Sequence, residues 1–261
     1  MSTNNQLRRE PEARKQDLQS VALSQDTISF GVIRQHFAQD HGQDLWQQLA
    51  HGRKVLETEQ ELEQYLFSFG PMTERQWTRI YDEISVPRQN FAVMDYAAGQ
   101  GLATIHLLDR LGVANRKQLK KCTLTDISKS GLRRASAFLE IYSDELNINC
   151  VEIDLNKINS AELYSGDEDC FVHLFSNIID IDSLDLRGLF SSILGKNGSH
   201  QLLAVSPYRT FDGGDARFEE MAKWLAEANQ RGKINLFGEV RQCVLLDRKG
   251  NPHSFCVASC E

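Results

Sequence analysis

From residue 90 onward, short apolar runs alternate with longer amphipathic stretches. The amphipathic stretches predict helices at 101–112, 129–143, 183–194 and 214–229, with a shorter one near 158–164. The apolar runs predict strands: FAVMDY (91–96), KCTLTDI (121–127), INCVEID (148–154), CFVHLFS (170–176) and QLLAVSP (201–207). Strands that alternate with helices indicate βαβ units, and therefore a parallel sheet with right-handed crossovers.

The pattern changes after the last of these helices. Two strand-like runs, EVRQCVLLD (239–247) and HSFCVAS (253–259), flank a short turn that contains Gly250. Such a pair forms a hairpin, which adds antiparallel strands to the edge of the sheet. The predicted fold class is α/β: a doubly wound, mostly parallel seven-stranded sheet with a C-terminal antiparallel hairpin, preceded by an N-terminal helical region.

The N-terminal region carries helical periodicity without strands. Residues 1–25 are polar and mixed in charge, which predicts a flexible tail. Residues 26–88 predict a helical lid or cap, with helices over 43–56 and 58–69. Gly70-Pro71 is expected to end the second of these. A capping box that begins at Thr73 is expected to open a third helix over 73–84.

The apolar runs, net charge and cysteines of the chain disfavour several classes of protein. No apolar run is long enough to cross a bilayer, and no signal peptide is recognisable, so we expect a cytoplasmic protein without a membrane partner. The formal net charge of −7 argues against a surface dominated by nucleic-acid contacts, although it does not exclude a local basic face. Six scattered cysteines without a Cys-x-x-Cys pair predict buried thiols and no metal site.

The stretch DYAAGQG (95–101) follows the first predicted strand of the sheet. A dinucleotide fingerprint needs a third glycine, but Thr104 stands at that position, and Asp95 would repel a pyrophosphate. A phosphate loop would need Gly-Lys-Ser/Thr, which is absent. A zwitterionic, cationic ligand such as S-adenosylmethionine suits the stretch better. Asp95 can receive its ammonium, and the small residues 97–101 allow its methionine and ribose to approach the backbone.

Two further acids end the next two predicted strands. Asp126 can accept hydrogen bonds from both ribose hydroxyls, and Asp154 from the adenine amine. Open parallel sheets bind ligands at the carboxyl ends of their strands, so the three acids would line one crevice. Each also has a plain structural interpretation, because the glycines can form an ordinary turn, Asp126 can cap a helix and Asp154 can belong to a turn.

Together these residues resemble the class I S-adenosylmethionine-dependent methyltransferases over 89–261. That resemblance implies methyl transfer with S-adenosylmethionine as the cofactor. One departure is an alanine where the family usually has its first glycine. The cofactor-binding residues that it implies are Asp95, Ala97, Gly99, Gly101, Asp126, Asp154 and Ser176.

Candidate catalytic residues follow strands four and five. The loop after strand four lacks the Asn/Asp-Pro-Pro-aromatic motif, which counts against adenine-N6 and protein-amide methylation. Asn177 is a candidate to orient the acceptor, and Asp180 or Asp182 to act as a base. Tyr208, next to Arg209, is a candidate to stack on the acceptor or bond to it.

Other interpretations of these segments stay open. Asp182-Ser183 would cap the next helix, while Ile178 and Ile179 would pack over the adenosine. His173, in the middle of a strand, is expected to be a core histidine.

The favoured function is methyl transfer to an unidentified acceptor, and the acidity favours a small molecule or a protein over RNA. In that case Arg75, Arg79 and Tyr81 of the helical region would reach the acceptor. The alternative is an inactive scaffold or sensor that binds S-adenosylmethionine and docks a protein partner through the helical region. A nicotinamide-dependent oxidoreductase is the least favoured option.

Overall fold

A computed structural model describes residues 27–158, 164, 168–208, 214–237, 240–246, 250 and 252–260. The tail predicted over 1–25 and most of the short segment near 158–164 lie outside the described residues. The helices are α1 (Phe30–Phe37), α2 (Gln43–Gln48), α3 (Glu59–Glu83), α4 (Leu102–Arg116), α5 (Lys129–Tyr142), α6 (Leu186–Ile193) and α7 (Gly214–Gln230). The strands are β1 (Phe91–Tyr96), β2 (Leu119–Asp126), β3 (Asn147–Glu152), β4 (Cys170–Ser176), β5 (Ser199–Pro207), β6 (Arg241–Leu246) and β7 (Pro252–Cys260).

The strands form one seven-stranded sheet in the order β3-β2-β1-β4-β5-β7-β6. The first five strands in this order are parallel, and β7 runs antiparallel to both β5 and β6. Asp95 of β1 lies beside Leu124 of β2 and Leu174 of β4, so these strands end together at one edge. The predicted fold class, which is also the one that the resemblance implies, is confirmed.

Apolar side chains cover both faces of the sheet. One core cluster joins the sheet to α1, α3, α4 and α5, and a second joins it to α6 and α7. Burial of a large apolar side chain contributes about 1.5–3 kcal/mol relative to exposure, so α3 is held to the sheet domain by its buried face. The buried apolar residues of α3 are Leu62, Leu66, Trp77, Ile80 and Tyr81.

Helix α3 runs unbroken through Pro71, so the expected stop at Gly70-Pro71 and the capping box at Thr73 are wrong. A proline inside a helix costs about 3 kcal/mol. Here apolar residues on both sides of Pro71 are buried, and their burial outweighs that cost. The capping box lies instead at the start of α3, where Thr58 and Glu61 bond to each other's backbone N–H groups.

Two other helix boundaries differ from the sequence prediction. The helix predicted over 43–56 ends at Gln48, because Ala50 and His51 take left-handed backbone angles (φ 48° and 57°). The helix predicted from 183 starts at Leu186 with Asp185 as its N-cap, so a cap at Asp182-Ser183 is wrong.

The four cysteines whose side chains are described carry free thiols. Three are buried as predicted, whereas Cys150 is exposed because β3 forms the edge of the sheet. In the part of the chain that the structure describes, no helix has the length and apolar character that a membrane crossing requires.

Candidate functional site

The loop after β1 folds back over the end of β2. The N–H of Ala98 donates to Thr125 O (2.8 Å), and the N–H of Gly101 donates to Ala98 O (2.8 Å). Three of its residues have left-handed backbone angles: Ala97 (φ 49°), Gly99 (53°) and Gly101 (73°). Alanine is strained in this region and glycine is not, so only Ala97 stores strain here.

Helix α5 packs closely against this loop. A Cβ on Gly101 would lie 3.0 Å from the Cβ of Ala135, and one on Gly131 would lie 2.9 Å from Gly99 O. A Cβ on Gly99 would meet nothing within 4 Å. The loop is therefore packed on one side and open at Gly99.

Asp95 lies beneath this loop and is only 1% exposed. Its Oδ2 accepts hydrogen bonds from the N–H (3.3 Å) and the hydroxyl (2.8 Å) of Thr104. Its Oδ1 finds no hydrogen-bond partner among the residues that the structure describes. Burial raises the pKa of Asp95 from 3.8 to about 7; the Thr104 bonds oppose that rise and the charge of Asp126 adds to it. Thr104, at the position of the missing third glycine, thus holds one oxygen of Asp95 and leaves the other free.

Asp126 ends β2 and anchors the same loop. Its Oδ2 accepts from Gly99 N–H (2.7 Å) and its Oδ1 from Ser128 N–H (2.6 Å), while burial raises its pKa. The N-cap of α5 is Ser128, so the interpretation of Asp126 as a helix cap is wrong. The neighbouring Ile127 is 53% exposed, and sequence reasoning did not single it out.

Asp154 follows β3 in a short turn. Its Oδ1 accepts from Asn156 N–H (3.0 Å), and its Oδ2 lies 3.8 Å from Lys157 Nζ. The side chain is half-exposed. The turn proposed from the sequence is present, and both of these partners of Asp154 belong to that turn.

A second group of side chains meets after β4. Ser176 Oγ accepts from the Trp77 indole N–H (3.1 Å) and from Asn177 Nδ2 (3.3 Å). Gln76 Nε2 donates to Asn177 Oδ1 (3.0 Å) and to His253 Nδ1 (3.2 Å). Asn177 itself has a left-handed backbone (φ 60°). Sequence reasoning did not assign Gln76, Trp77 or His253 to the site, because their partners are remote in sequence.

The three other candidate catalytic residues differ in exposure. Asp180 is buried and Asp182 is exposed, while Tyr208, which follows β5, is 39% exposed and donates its backbone N–H to Pro252 O (3.3 Å). Arg209 lies outside the described residues. Arg217 of α7 holds the loop after β4 by donating to the carbonyls of Ile179 (3.3 Å) and Ile181 (3.2 Å), and to that of Leu184.

Ile178 and Ile179 belong to the core cluster under α6 and α7, so the expectation that they pack over an adenosine is not supported. His173 is a core histidine, as expected. Its Nδ1 lies 2.9 Å from the Tyr96 hydroxyl and its Nε2 lies 2.9 Å from His200 Nδ1. Burial lowers the pKa of His173, which therefore stays neutral.

The helical region contacts the glycine loop and the start of α5 directly. Gln100 Nε2 donates to Leu62 O (2.9 Å), Ser130 Oγ donates to Glu57 O (2.8 Å), and Arg134 forms an ion pair with Glu59. These contacts place the N-terminal end of α3 over the site. Farther along α3, Arg79 pairs with Glu83 (2.8 Å) on the solvated side of the helix.

No protein family model matches the chain, and no curated protein matches it in sequence. Among solved structures, the chain is similar to an S-adenosylmethionine-dependent methyltransferase from Aquifex aeolicus: 14% identity, 71% of this chain and 90% of that chain covered, TM-score 0.47. It is similar to another from Leishmania major: 13% identity, 82% of each chain covered, TM-score 0.47. It is also similar to the mitomycin 7-O-methyltransferase MmcR: 15% identity, 82% of this chain and 67% of that chain covered, TM-score 0.49. At these identities and TM-scores the likenesses assign neither a family nor an activity to this chain.

Proposed function

We propose that this chain is an S-adenosylmethionine-dependent methyltransferase. The observation that carries the proposal is the Oδ1 atom of Asp95, a buried acceptor near the end of β1 that has no hydrogen-bond partner among the described residues. A buried carboxylate oxygen without a partner is costly, and a ligand ammonium would satisfy it with a charge-assisted hydrogen bond. The residues present therefore fit the amino-acid end of this ligand.

The rest of the ligand would follow the strand ends. The open side of the loop at Gly99 accommodates the methionine chain and the ribose, and Asp126 receives the ribose hydroxyls through lone pairs that its bonds to backbone N–H groups leave free. The exposed side chain of Ile127 is available to cover the adenine. Asp154 is available to accept a hydrogen bond from the exocyclic amine of the adenine. Ser176 is the last residue of β4, which adjoins β1, and we assign it to the part of the site that holds the sulfur.

When bound, S-adenosylmethionine supplies a methyl group that is already activated on a cationic sulfur. The chain's own residues then have to align the acceptor and, for a hydroxyl or a protonated amine, take up its proton. Asn177 is the candidate for orientation, Asp180 for proton uptake and Tyr208 for stacking against the acceptor. The acidity of the chain favours a small-molecule or protein acceptor over RNA.

Ligand binding tests this proposal. Millimolar S-adenosylmethionine or S-adenosylhomocysteine is expected to raise the melting temperature, because a ligand that binds only the folded state stabilises it. Calorimetry should give saturable binding of S-adenosylhomocysteine at one site. The absence of both signals would refute the proposal.

A second candidate function is a scaffold or sensor that binds the cofactor without transferring its methyl group. It is favoured by the contacts of α3 with Ser176 and Asn177, because these two polar side chains at the end of β4 are already engaged within the protein. The protein partner would dock on the helical region, where Phe67 of α3 is 43% exposed. Transfer of tritiated methyl groups from S-adenosylmethionine to the protein, RNA or small-molecule fraction of a lysate would rule this candidate out.

A further inference from the structure

One tyrosine of α3 is buried against the strands that carry the site. Tyr81 is 2% exposed and belongs to the same core cluster as Val93 of β1 and Leu174 of β4. Its pKa is raised well above 10, first by burial and then by the charge of Asp95. The phenol therefore remains a neutral hydrogen-bond donor.

Tyr81 and Asp95 each have a buried polar atom without a hydrogen-bond partner, and one is a donor while the other is an acceptor. The hydroxyl of Tyr81 has no hydrogen-bond partner within the described part of the chain, and the same holds for Asp95 Oδ1. An open buried polar group costs about 1–3 kcal/mol, and native structures seldom keep one without a reason. A donor and an acceptor in the same part of the molecule thus both lack a hydrogen-bond partner, and they do not bond to each other.

The surrounding contacts fix the position of Tyr81. Its ring packs on that of Trp77 (5.4 Å between centroids), and the Trp77 indole N–H is bonded to Ser176 Oγ (3.1 Å) at the end of β4. The ring of Tyr81 therefore packs against a tryptophan that is bonded to β4, the strand that adjoins β1. A group with both an anionic and a cationic end would satisfy the Tyr81 hydroxyl and Asp95 Oδ1 together.

We propose that α3 supplies the second half of the cofactor site. Tyr81 donates a hydrogen bond to the carboxylate of the ligand's amino-acid end, while Asp95 receives the ammonium of that same end. This inference rests on the proposed function, and it adds a binding residue that the strand-end motif does not contain.

Two probes separate the two ends of the ligand. S-adenosylhomocysteine carries the amino-acid end, and methylthioadenosine keeps the adenosine and the thioether without it. In calorimetry, Tyr81→Phe should weaken S-adenosylhomocysteine binding about tenfold, the loss of roughly one hydrogen bond to a charged group, and leave methylthioadenosine binding within about twofold.

Tyr142→Phe is the matched control. Tyr142 is buried on the same side of the sheet, and its hydroxyl donates to Asp109 Oδ1 (2.8 Å), away from the site. The variant should bind both probes as the wild type does. It shows whether the loss of any buried phenol hydroxyl weakens binding.

The outcomes distinguish this inference from the function on which it rests. If the wild type binds neither probe, the proposed function falls and this inference falls with it. If the wild type binds S-adenosylhomocysteine and Tyr81→Phe binds it equally well, only this inference falls. Equal weakening of both probes by Tyr81→Phe would also overturn it, because the phenol would then act on the site as a whole.

A second measurement applies if Tyr81→Phe does not fold. Fluorotyrosine placed at position 81 keeps the hydroxyl, and its fluorine resonance reports on the surroundings of that residue. S-adenosylhomocysteine should shift the resonance and methylthioadenosine should not. Identical responses to both probes would contradict the inference.

Discussion

The carboxyl edge of the sheet has two sides, and they are built differently. On the side of β1 and β2, contacts join residues that are close in sequence: Thr104 holds Asp95 from nine positions away, and Asp126 holds Gly99 from 27. On the side of β4 and β7, the contacts of Gln76 span 101 and 177 positions. The first side is a set of local motifs, and the second depends on the assembled fold.

The two sides also differ in chemistry. The β1–β2 side holds two buried carboxylates with raised pKa values, and one of their oxygens has no partner in the described structure. The β4–β7 side holds neutral groups, namely amides, a hydroxyl, an indole and an imidazole, which bond to one another, while Gln76 Oε1 has no partner in the described structure. A buried carboxylate attracts a ligand of opposite charge, whereas a network of neutral groups sets positions. We therefore infer that cofactor binding and acceptor placement can be changed separately.

The largest expected effect concerns Asp95. Its raised pKa means that the carboxyl becomes neutral as the pH falls below about 7, so the affinity for S-adenosylhomocysteine should decrease over that range. Asp95→Asn should bind about 100-fold more weakly at about pH 8, where the ion pair is lost, and should show little pH dependence. Calorimetry across this pH range measures both effects.

Stability should change in the opposite direction. Because the pKa of Asp95 in the folded state exceeds its ordinary 3.8, its contribution to stability is complete at low pH and is lost as the pH rises through about 7. Asp95→Asn should thus melt at a higher temperature than the unliganded wild type at about pH 8. Asp109→Asn is the control, since Asp109 holds Phe30 and Tyr142 away from the site; its affinity should stay unchanged. Wild-type affinity in Asp95→Asn would contradict the assignment of the ammonium to this residue.

A smaller effect should appear on the other side of the edge. Gln76→Leu removes the hydrogen bonds that its amide donates to Asn177 Oδ1, which is partly buried, and to His253 Nδ1, which is buried. The free energy of unfolding should fall by about 1–3 kcal/mol, while affinity for S-adenosylhomocysteine stays within about twofold. Urea unfolding and calorimetry measure these two quantities, and incorporation of tritiated methyl into lysate fractions should fall.

Gln64→Leu is matched to this variant. Gln64 is also buried on α3, and it bonds to His41 N–H and Ser68 Oγ instead of to the site. It should lose similar stability and keep methyl incorporation. Equal losses of incorporation in both variants would show that Gln76 acts through stability alone.

The difference between the two sides explains what the sequence could predict. Alternating apolar runs predicted the parallel strands, because each strand's periodicity is local. The acid and glycines of DYAAGQG were recognisable for the same reason. The partners of Asn177 were not, since no short-range signal couples residue 76 to residues 177 and 253.

The errors in α3 and α6 have a related origin. Pro71 is a strong local breaker, and only the burial of apolar residues on both sides of it keeps the helix continuous. Before α6, three candidate caps lie within four residues, and the structure uses Asp185 instead of Asp182 or Ser183. The local sequence contains several possible caps, and in the structure it is Asp185 whose side chain accepts from Gly188 N–H (3.0 Å).

The smallest expected effect concerns a left-handed backbone conformation that occurs on both sides of the sheet edge. Ala97 and Asn177 both have left-handed angles (φ 49° and 60°). Glycine relieves this strain, although it also makes the unfolded chain more flexible. Ala97→Gly should therefore raise the free energy of unfolding by about 0.5–1 kcal/mol, as measured in urea.

Asn177→Gly relieves the same strain but removes a side chain that accepts from Gln76 (3.0 Å) and donates to Ser176 (3.3 Å). Its stability should fall, because two hydrogen bonds at about 1 kcal/mol each outweigh the relief. Ala98→Gly, beside Ala97 but outside the left-handed region, is the control and should lose about 0.5–1 kcal/mol. A gain in all three variants would mean that loop flexibility alone sets the result. A gain confined to Ala97→Gly would locate the strain on the cofactor side and the stabilising side-chain contacts on the other.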